Sequence, residues 1–327
     1  MLEIRNLRIN PPLLLAPMAG LTHSGFRSLL LRLGGVGLLS TEMLSARRLP
    51  MENAAVSPFL VSTAAEHPLS YQLLVADQAH LAAAIERVHQ LGGDAIDLNL
   101  GCPAPQVRNF GGGSKLVDDT DHLRGLVAEA RARTELPLTA KIRLGEELDE
   151  ARLENLCRML EGEGIDLLTV HARLRQEPFS RKARWEWVGK VKNWLSIPVV
   201  ANGGIFTVAD GRRCLELSGA DGLMLGRGAA VRPWLFHEIA TELYGSELAP
   251  LNIDRPAIYF FFIDQLEERF RPERRLGRLK EFTHYFSKTY PFGLRLASAV
   301  QTSSSVEEAR ERAGIFFSRS DAQPILT

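Results

Sequence analysis

Short apolar runs and longer stretches of helical period alternate along the chain up to about residue 250. The short runs cover residues 13–16, 37–41, 69–73, 95–99, 138–142, 166–170, 198–201 and 222–225. Each is too brief for a helix and is bounded by turn-forming residues, so each predicts a strand. The longer stretches, such as 79–91, 122–133, 150–162 and 208–217, carry apolar residues at helical spacing and predict amphipathic helices. Strands that alternate with helices run parallel, and eight such units closing on themselves make a TIM (β/α)8 barrel; an open doubly wound sheet is the alternative. Gly92 and Gly93, like Gly162 and Gly164, precede strands and read as helix C-caps, not as phosphate loops.

Beyond about residue 250 the strand pattern stops. Residues 256–270, 274–289, 292–299 and 305–317 read as helices, the last opened by an N-cap among Ser303, Ser304 and Ser305 with acidic Glu307 and Glu308 in its first turn. The chain therefore divides into a barrel, residues 1–248, and a small all-helical C-terminal domain, residues 249–327. Its 327 residues suffice for one large barrel with a small appended unit.

An apolar content of 45% and a charged content of 24% suit a soluble globular protein and argue against a disordered or fibrous one. The formal net charge is zero, so any nucleic-acid binding must come from a local basic patch. Cys102, Cys157 and Cys214 are odd in number and widely spaced, with no C-x-x-C pair, which argues against a disulfide framework or a zinc site and fits a reducing cytoplasm. No metal is expected. No apolar run reaches membrane-spanning length, and Glu3, Arg5 and Arg8 interrupt the N-terminus where a secretory leader would need an apolar stretch.

Reactive groups in such barrels sit at the C-terminal ends of the strands. Those ends carry Pro17, Met18 and Ala19 after the first strand, Glu42 after the second, Gln72 in the third, and Asn99 then Cys102 after the fourth. Lys141 and Arg143 follow on the fifth, His171 and Arg173 on the sixth, Asn202, Gly203 and Gly204 on the seventh, and Gly226, Arg227 and Gly228 on the eighth. The two glycine turns that close strands seven and eight can converge backbone N–H groups on a phosphate, and Arg227 adds charge-assisted bonds; ordinary turn chemistry is the plainer reading of either turn alone. Lys141, inside an apolar strand, needs an anionic or polar partner, such as a reduced flavin whose N1/C2=O edge it would stabilise, or else an ion pair with Glu42 or Asp97. Gln72 can donate to and accept from the other flavin edge, or stand as a satisfied core amide. His171 is expected at the cofactor or its phosphate, and no ligand partners make it a metal site. Gly101 and Pro103 turn Cys102 out over the barrel mouth, where its thiol can act as a general acid. Cys157 and Cys214, within helical patterns, read as buried small hydrophobes.

The segments 16–22, 99–105, 141–145, 170–173, 201–205 and 226–228 resemble, in order along the whole barrel, those of the tRNA-dihydrouridine synthase family. The Gly101-Cys102-Pro103 element followed by Gly111, Gly112, Gly113 and Ser114 is the most specific part of the resemblance. It implies FMN as a tightly held cofactor, NADPH as reductant and a tRNA uridine flipped into the barrel mouth. Carried over by position, Pro17, Met18, Ala19, Gln72, Lys141, His171, Asn202, Gly203, Gly204, Gly226 and Arg227 would surround FMN, and Asn99, Arg143 and Arg173 would meet the substrate. Hydride would pass from flavin N5 to uracil C6, with Cys102 giving a proton to C5. The chain departs from the family at Leu174, where a Thr is common, and at Phe179, where some members have Tyr, so the hydrogen bond of that hydroxyl is lost.

The basic run Arg269, Arg271, Arg274, Arg275, Arg278 and Lys280, opposed only by Glu273, is the expected tRNA surface, with Arg274, Arg275, Arg278 and Lys280 at its centre. Tyr285, Tyr290 and Phe292 behind it could stack on an exposed base. Taken without the barrel motifs the run reads as a solvated helix face. The expected assembly is a monomer acting on tRNA in the cytoplasm. Two rivals stay open: an FMN barrel acting on a free small molecule, and a non-catalytic RNA-binding protein that keeps the barrel as scaffold.

Overall fold

The computed structural model describes residues 1–319; residues 320–327, the end of the expected helical unit, lie outside the described residues. An antiparallel hairpin, β1 (Leu2–Ile4) and β2 (Leu7–Ile9), opens the chain. It is followed by β3 (Leu13–Leu15), β4 (Leu39–Ser40), β5 (Leu44–Ser45), β6 (Leu69–Leu74), β7 (Ala95–Asn99), β8 (Leu138–Arg143), β9 (Leu167–His171), β10 (Val199–Asn202) and β11 (Gly222–Leu225). Parallel pairing runs β3-β11-β10-β9-β8-β7-β6-β4, with the short β5 also beside β6. The remaining seam is a bridge between Leu14 and Leu38, with the Leu15 N–H donating to the Leu38 carbonyl at 2.9 Å. Eight parallel strands thus form a nearly closed TIM barrel, in place of the open sheet. Gly37 sits on this seam because a Cβ there would lie 2.0 Å from the Pro11 carbonyl oxygen.

Helices α1 (Ser24–Leu33), α2 (Leu81–Gln90), α3 (Pro105–Asn109), α4 (Thr120–Ala132), α5 (Glu150–Gly162), α6 (Trp185–Trp194), α7 (Val208–Ser218), α8 (Arg227–Val231) and α9 (Leu235–Tyr244) fill the crossovers and the stretch after the last strand. Their starts follow from side chains that satisfy first-turn N–H groups: Asp119 caps α4, Asp149 caps α5, and Thr207 with Asp210 forms a capping box on α7. Their ends follow glycine where the notional C-caps were expected. Gly92 takes φ 71° after α2 and Gly164 takes φ 95° after α5, and the next residue's N–H reaches back to Val88 and Leu160 respectively.

Alternation along each strand sorts the barrel into layers. Ile96, Leu98, Ala140, Ile142, Leu168, Val170, Val199 and Ala201 point outward into the large apolar cluster under the helices. Inside, Leu14, Leu38, Leu167, Val200 and Met224 form a second cluster with Leu2, Ile4 and Ile9 of the hairpin, which plugs the N-terminal end. Above that plug the inward positions turn polar: Asp97, Asn99, Thr139, Lys141, Arg143, Thr169, His171 and Asn202.

Four helices complete the described chain: α10 (Arg255–Arg269), α11 (Arg275–Phe286), α12 (Gly293–Gln301) and α13 (Val306–Phe317), the last capped by Ser305. The expected helix over 274–289 ends as a tighter 3-10 turn at Ser287–Thr289. Their core is aromatic. Phe262 and Phe282 have ring centroids 4.0 Å apart, Tyr259 stacks on Phe282, and the Tyr259 hydroxyl pairs with Thr283 Oγ1 at 2.6 Å. This core is continuous with the barrel's outer layer, chiefly where α10 packs on α1.

Candidate active site

The polar layer and the loops after β3, β7, β10 and β11 enclose a cavity of about 310 Å³ at the C-terminal end of the barrel. Its lining brings together Pro17, Met18, Ala19, Gln72, Asn99, Cys102, Lys141, Arg143, His171, Asn202, Gly203, Gly204, Gly226 and Arg227. Arg173 stands behind this wall, with Nη1 3.1 Å from His171 Nε2. The wall also includes Met43 and Phe206 from barrel loops, and Glu281 and Tyr285 from α11. Glu281 and Tyr285 are one helical turn apart and share a face; the sequence pattern pointed to Tyr285 but not to Glu281.

A hydrogen-bonded relay crosses the floor. The Asp97 carboxylate accepts from Thr139 Oγ1 and from Gln72 Nε2, each at 2.6 Å. Gln72 Oε1 accepts from Asn99 Nδ2 at 2.7 Å, and Asn99 Oδ1 accepts the Cys102 N–H at 3.0 Å. The carboxylate can only accept and the backbone N–H can only donate, so the orientation of both intervening amides is dictated from the two ends. Burial raises the Asp97 pKa, with Thr139, Gln72 and Lys141 acting against it. The sequence offers Asp97 only as a partner for Lys141, although its spacing of two from Asn99 puts both on the inward face.

Lys141 makes no hydrogen bond or ion pair with the described residues, for Asp97 is engaged by Gln72 and Thr139, and Glu42 accepts the Gly20 N–H at 2.7 Å. Burial, aided by the Arg143 charge, pulls its pKa down to about 8. Arg143 donates to the Leu174 carbonyl at 2.8 Å, and burial lowers its pKa to about 10. His171 is held well below its usual range by burial, then by Lys141, Arg143, Arg173 and Arg227. Its Nε2 accepts from Arg173, which leaves the proton of the neutral ring on Nδ1. With Lys141, Arg143 and Arg227 on its lining against the single carboxylate of Glu281 among the described lining residues, the cavity is net positive and suits an anionic ligand.

The two glycine turns border the same space. Gly203 has φ 107°, and a Cβ there would lie 2.5 Å from the His171 ring. The Trp185 indole N–H holds its carbonyl at 2.9 Å. Gly226 caps α8 and its carbonyl accepts the Ala229 N–H at 2.9 Å, which leaves the Arg227 and Gly228 N–H groups at the start of the helix without an intrahelical acceptor. The Arg227 guanidinium lies 4.2 Å over the ring of exposed Phe179, which also faces Arg143 and His171.

Cys102 is half-buried at the edge of the cavity. Its carbonyl accepts the Ser114 N–H at 3.0 Å, and a Cβ on Gly113 would come within 2.7 Å of that carbonyl, so the glycine-rich turn packs directly on the cysteine loop. Cys157 and Cys214 are buried in α5 and α7, and burial raises both thiols, Cys214 to about 12.

The basic run lies outside the cavity. Arg275 Nε and Nη2 donate to the Phe270 and Glu267 carbonyls at 2.6 and 2.8 Å, which ties it to the end of α10. Arg278 lies 4.5 Å over the Phe270 ring and donates to the Arg274 carbonyl at 2.8 Å. Arg274 is exposed and Lys280 half-buried. Tyr290 is buried among Phe286, Phe316 and Phe317, whereas Phe292 is exposed. Among the described residues no group of three or more His, Cys, Asp or Glu side chains could hold a metal ion, and no helix is long and apolar enough to cross a membrane.

Residues 14–301 match the family model described as dihydrouridine synthase, Dus. The chain is 37% identical over 309 residues to a tRNA-dihydrouridine(16) synthase of Aquipseudomonas alcaligenes, covering 90% of this chain and 96% of that protein. It is 37% identical over 286 residues to a protein of the same description from Pseudomonas putida, covering 85% and 88%. It is 31% identical over 312 residues to a probable tRNA-dihydrouridine synthase 1 of Synechocystis, covering 95% and 87%. Among solved structures, a histamine dehydrogenase from Rhizobium sp. 4-9 superposes with a TM-score of 0.54 at 13% identity, over 81% of this chain and 50% of that one. This chain spans half the length of that structure, and the likeness is one of fold.

Proposed function

This chain belongs to the dihydrouridine synthase family, and from that premise we propose that it reduces the C5=C6 bond of uridine in tRNA to 5,6-dihydrouridine, with FMN as cofactor and NADPH as reductant. The observation that carries the reading is one cavity that holds both an unpaired lysine with an anion-suited wall and a thiol at its rim. The FMN fit rests on Lys141, which has no partner of its own, and on Gly203, where any side chain would fill the space next to His171. When bound and reduced by NADPH, FMN would supply the hydride for C6 of the base.

The chain's own residues do the rest. Lys141 would hold the ring edge where negative charge collects, and Gln72, locked by Asp97, offers one remaining amide N–H to it. Gly203, Gly204, Gly226 and Arg227 take the phosphate, aided by His171, whose neutral ring keeps a donor on Nδ1. Pro17, Met18, Ala19 and Asn202 wall the ring. Asn99 and Arg143 orient the base, whereas Arg173, expected at the substrate, sits behind the wall and holds His171 instead; Cys102 gives the proton to C5 from a loop that Asn99 pins through its backbone. Arg274, Arg275, Arg278 and Lys280 belong to the tRNA-facing side of the helical region, with exposed Arg274 the freest to track phosphates. The enzyme acts as a cytoplasmic monomer. Two of its relatives, those of Aquipseudomonas alcaligenes and Pseudomonas putida, carry position 16 in their names, which supports uridine 16 as the proposed target.

The test is incubation of unmodified tRNA with the purified protein, FMN and NADPH, followed by site-resolved mapping of dihydrouridine. Reduction confined to position 16 is expected. Bound FMN with NADPH oxidation that is indifferent to tRNA would replace this reading with a small-molecule oxidoreductase.

A further inference from the structure

Glu66 lies in the loop before β6, away from the cavity, and its side chain is fully buried. A carboxylate taken out of water is costly unless charged partners and hydrogen bonds replace the water. Here both oxygens are served, one by Arg27 Nε at 2.6 Å and the other by the hydroxyl of Ser24. Arg27 is as deeply buried, and its Nη1 donates to the Thr22 carbonyl at 2.6 Å. Thr22 Oγ1 in turn accepts the Met18 N–H at 3.0 Å, and Met18 walls the cavity. At the other end Arg269, in the last turn of α10, donates through Nε to Ser24 Oγ at 3.0 Å. Ser24 thus accepts from the helical region and donates toward the barrel, so its single hydroxyl joins the two.

We infer that this buried chain, with Glu66 as its hub, sets the register between the helical region and the cavity, and that Ser24 and Glu66 are positioning residues for tRNA. The inference rests on tRNA being the substrate. Apolar surfaces alone, such as those of α1 and α10, tolerate small slides, whereas a chain of directed bonds between buried groups has one satisfied geometry. Register matters here because a base carried by tRNA bound to the helices must arrive within reacting distance of Cys102.

Two variants test it in the full-length protein loaded with FMN. Ser24→Ala removes one fully buried hydroxyl and changes no surface that RNA could touch; Glu66→Gln keeps the size of the buried hub and removes one of its acceptor oxygens. For each, the KM for tRNA is expected to rise about fivefold or more, the effect of losing a buried hydrogen bond, while flavin reduction by NADPH without tRNA keeps its rate. An unchanged KM in both variants would overturn the inference, and so would a parallel fall in flavin reduction, which would mean general damage to the barrel. Native protein that binds FMN yet leaves tRNA unreduced would instead remove the substrate reading on which the inference stands.

Discussion

The barrel mouth and the core of the C-terminal helices are both interior, yet they use their atoms in opposite ways. In the helical core, rings pack on rings, and the deeply buried Tyr259 hydroxyl is paired with Thr283. At the mouth, Lys141 makes no hydrogen bond with the described residues and an exposed Phe179 lies under Arg227. The first region gains stability by closing; the second keeps bonding capacity open at a cost, because desolvated cations crowd one another there.

The contrast can be broken most severely at Cys102. Cys102→Ala should lower the rate of tRNA reduction by roughly 10²- to 10⁴-fold, the usual contribution of a positioned general acid, with the thermal midpoint unchanged. In the helical core the expectation reverses. Phe282→Ala should cost about 3–5 kcal/mol in a denaturant titration, while the fraction that stays folded still binds FMN.

Lys141→Met sharpens the comparison further, because stability and function should move in opposite directions. The folded pKa, about 8, lies below that of the unfolded chain, near 10.5, so between these values the unfolded state binds more protons and stability rises with pH. At pH 7 the native protein carries the whole burden of the buried charge. The Met variant should therefore gain about 1–3 kcal/mol at pH 7, lose the rise in stability between pH 8 and 10.5, and bind FMN poorly. Native catalysis should fall as pH climbs through 8, where Lys141 loses its charge; a flat pH–rate profile across this range would refute that role.

The smallest effects separate two neighbouring arginines. Arg275→Ala removes the bonds to the Phe270 and Glu267 carbonyls and should cost about 1 kcal/mol of stability. Arg274→Ala should leave stability unchanged and reduce the salt dependence of tRNA binding by about one unit of slope.

Much of this was written in periodicity. The eight strands were legible because each is a short apolar run set off by turns, and α5 and β11 begin and end where the pattern says. The residues of the mouth were legible because strand ends in a closed barrel converge whatever their order in the chain. The hairpin β1–β2 was missed, since its three-residue strands with Arg5 at φ 52° between them carry too short a pattern to be read locally.

What sequence alone determined, then, was the repeat, the polar ends of its strands and the placing of Cys102 on a Gly-Cys-Pro turn, because these depend on neighbours in the chain. Tertiary structure alone decided that Asp97 serves Gln72 instead of Lys141, that Arg275 closes a helix, that Tyr290 is buried, and that Glu281 reaches the cavity. Each of those depends on which partner lies within about 3 Å across the fold, and for side chains far apart in sequence that distance exists only once the layers have packed.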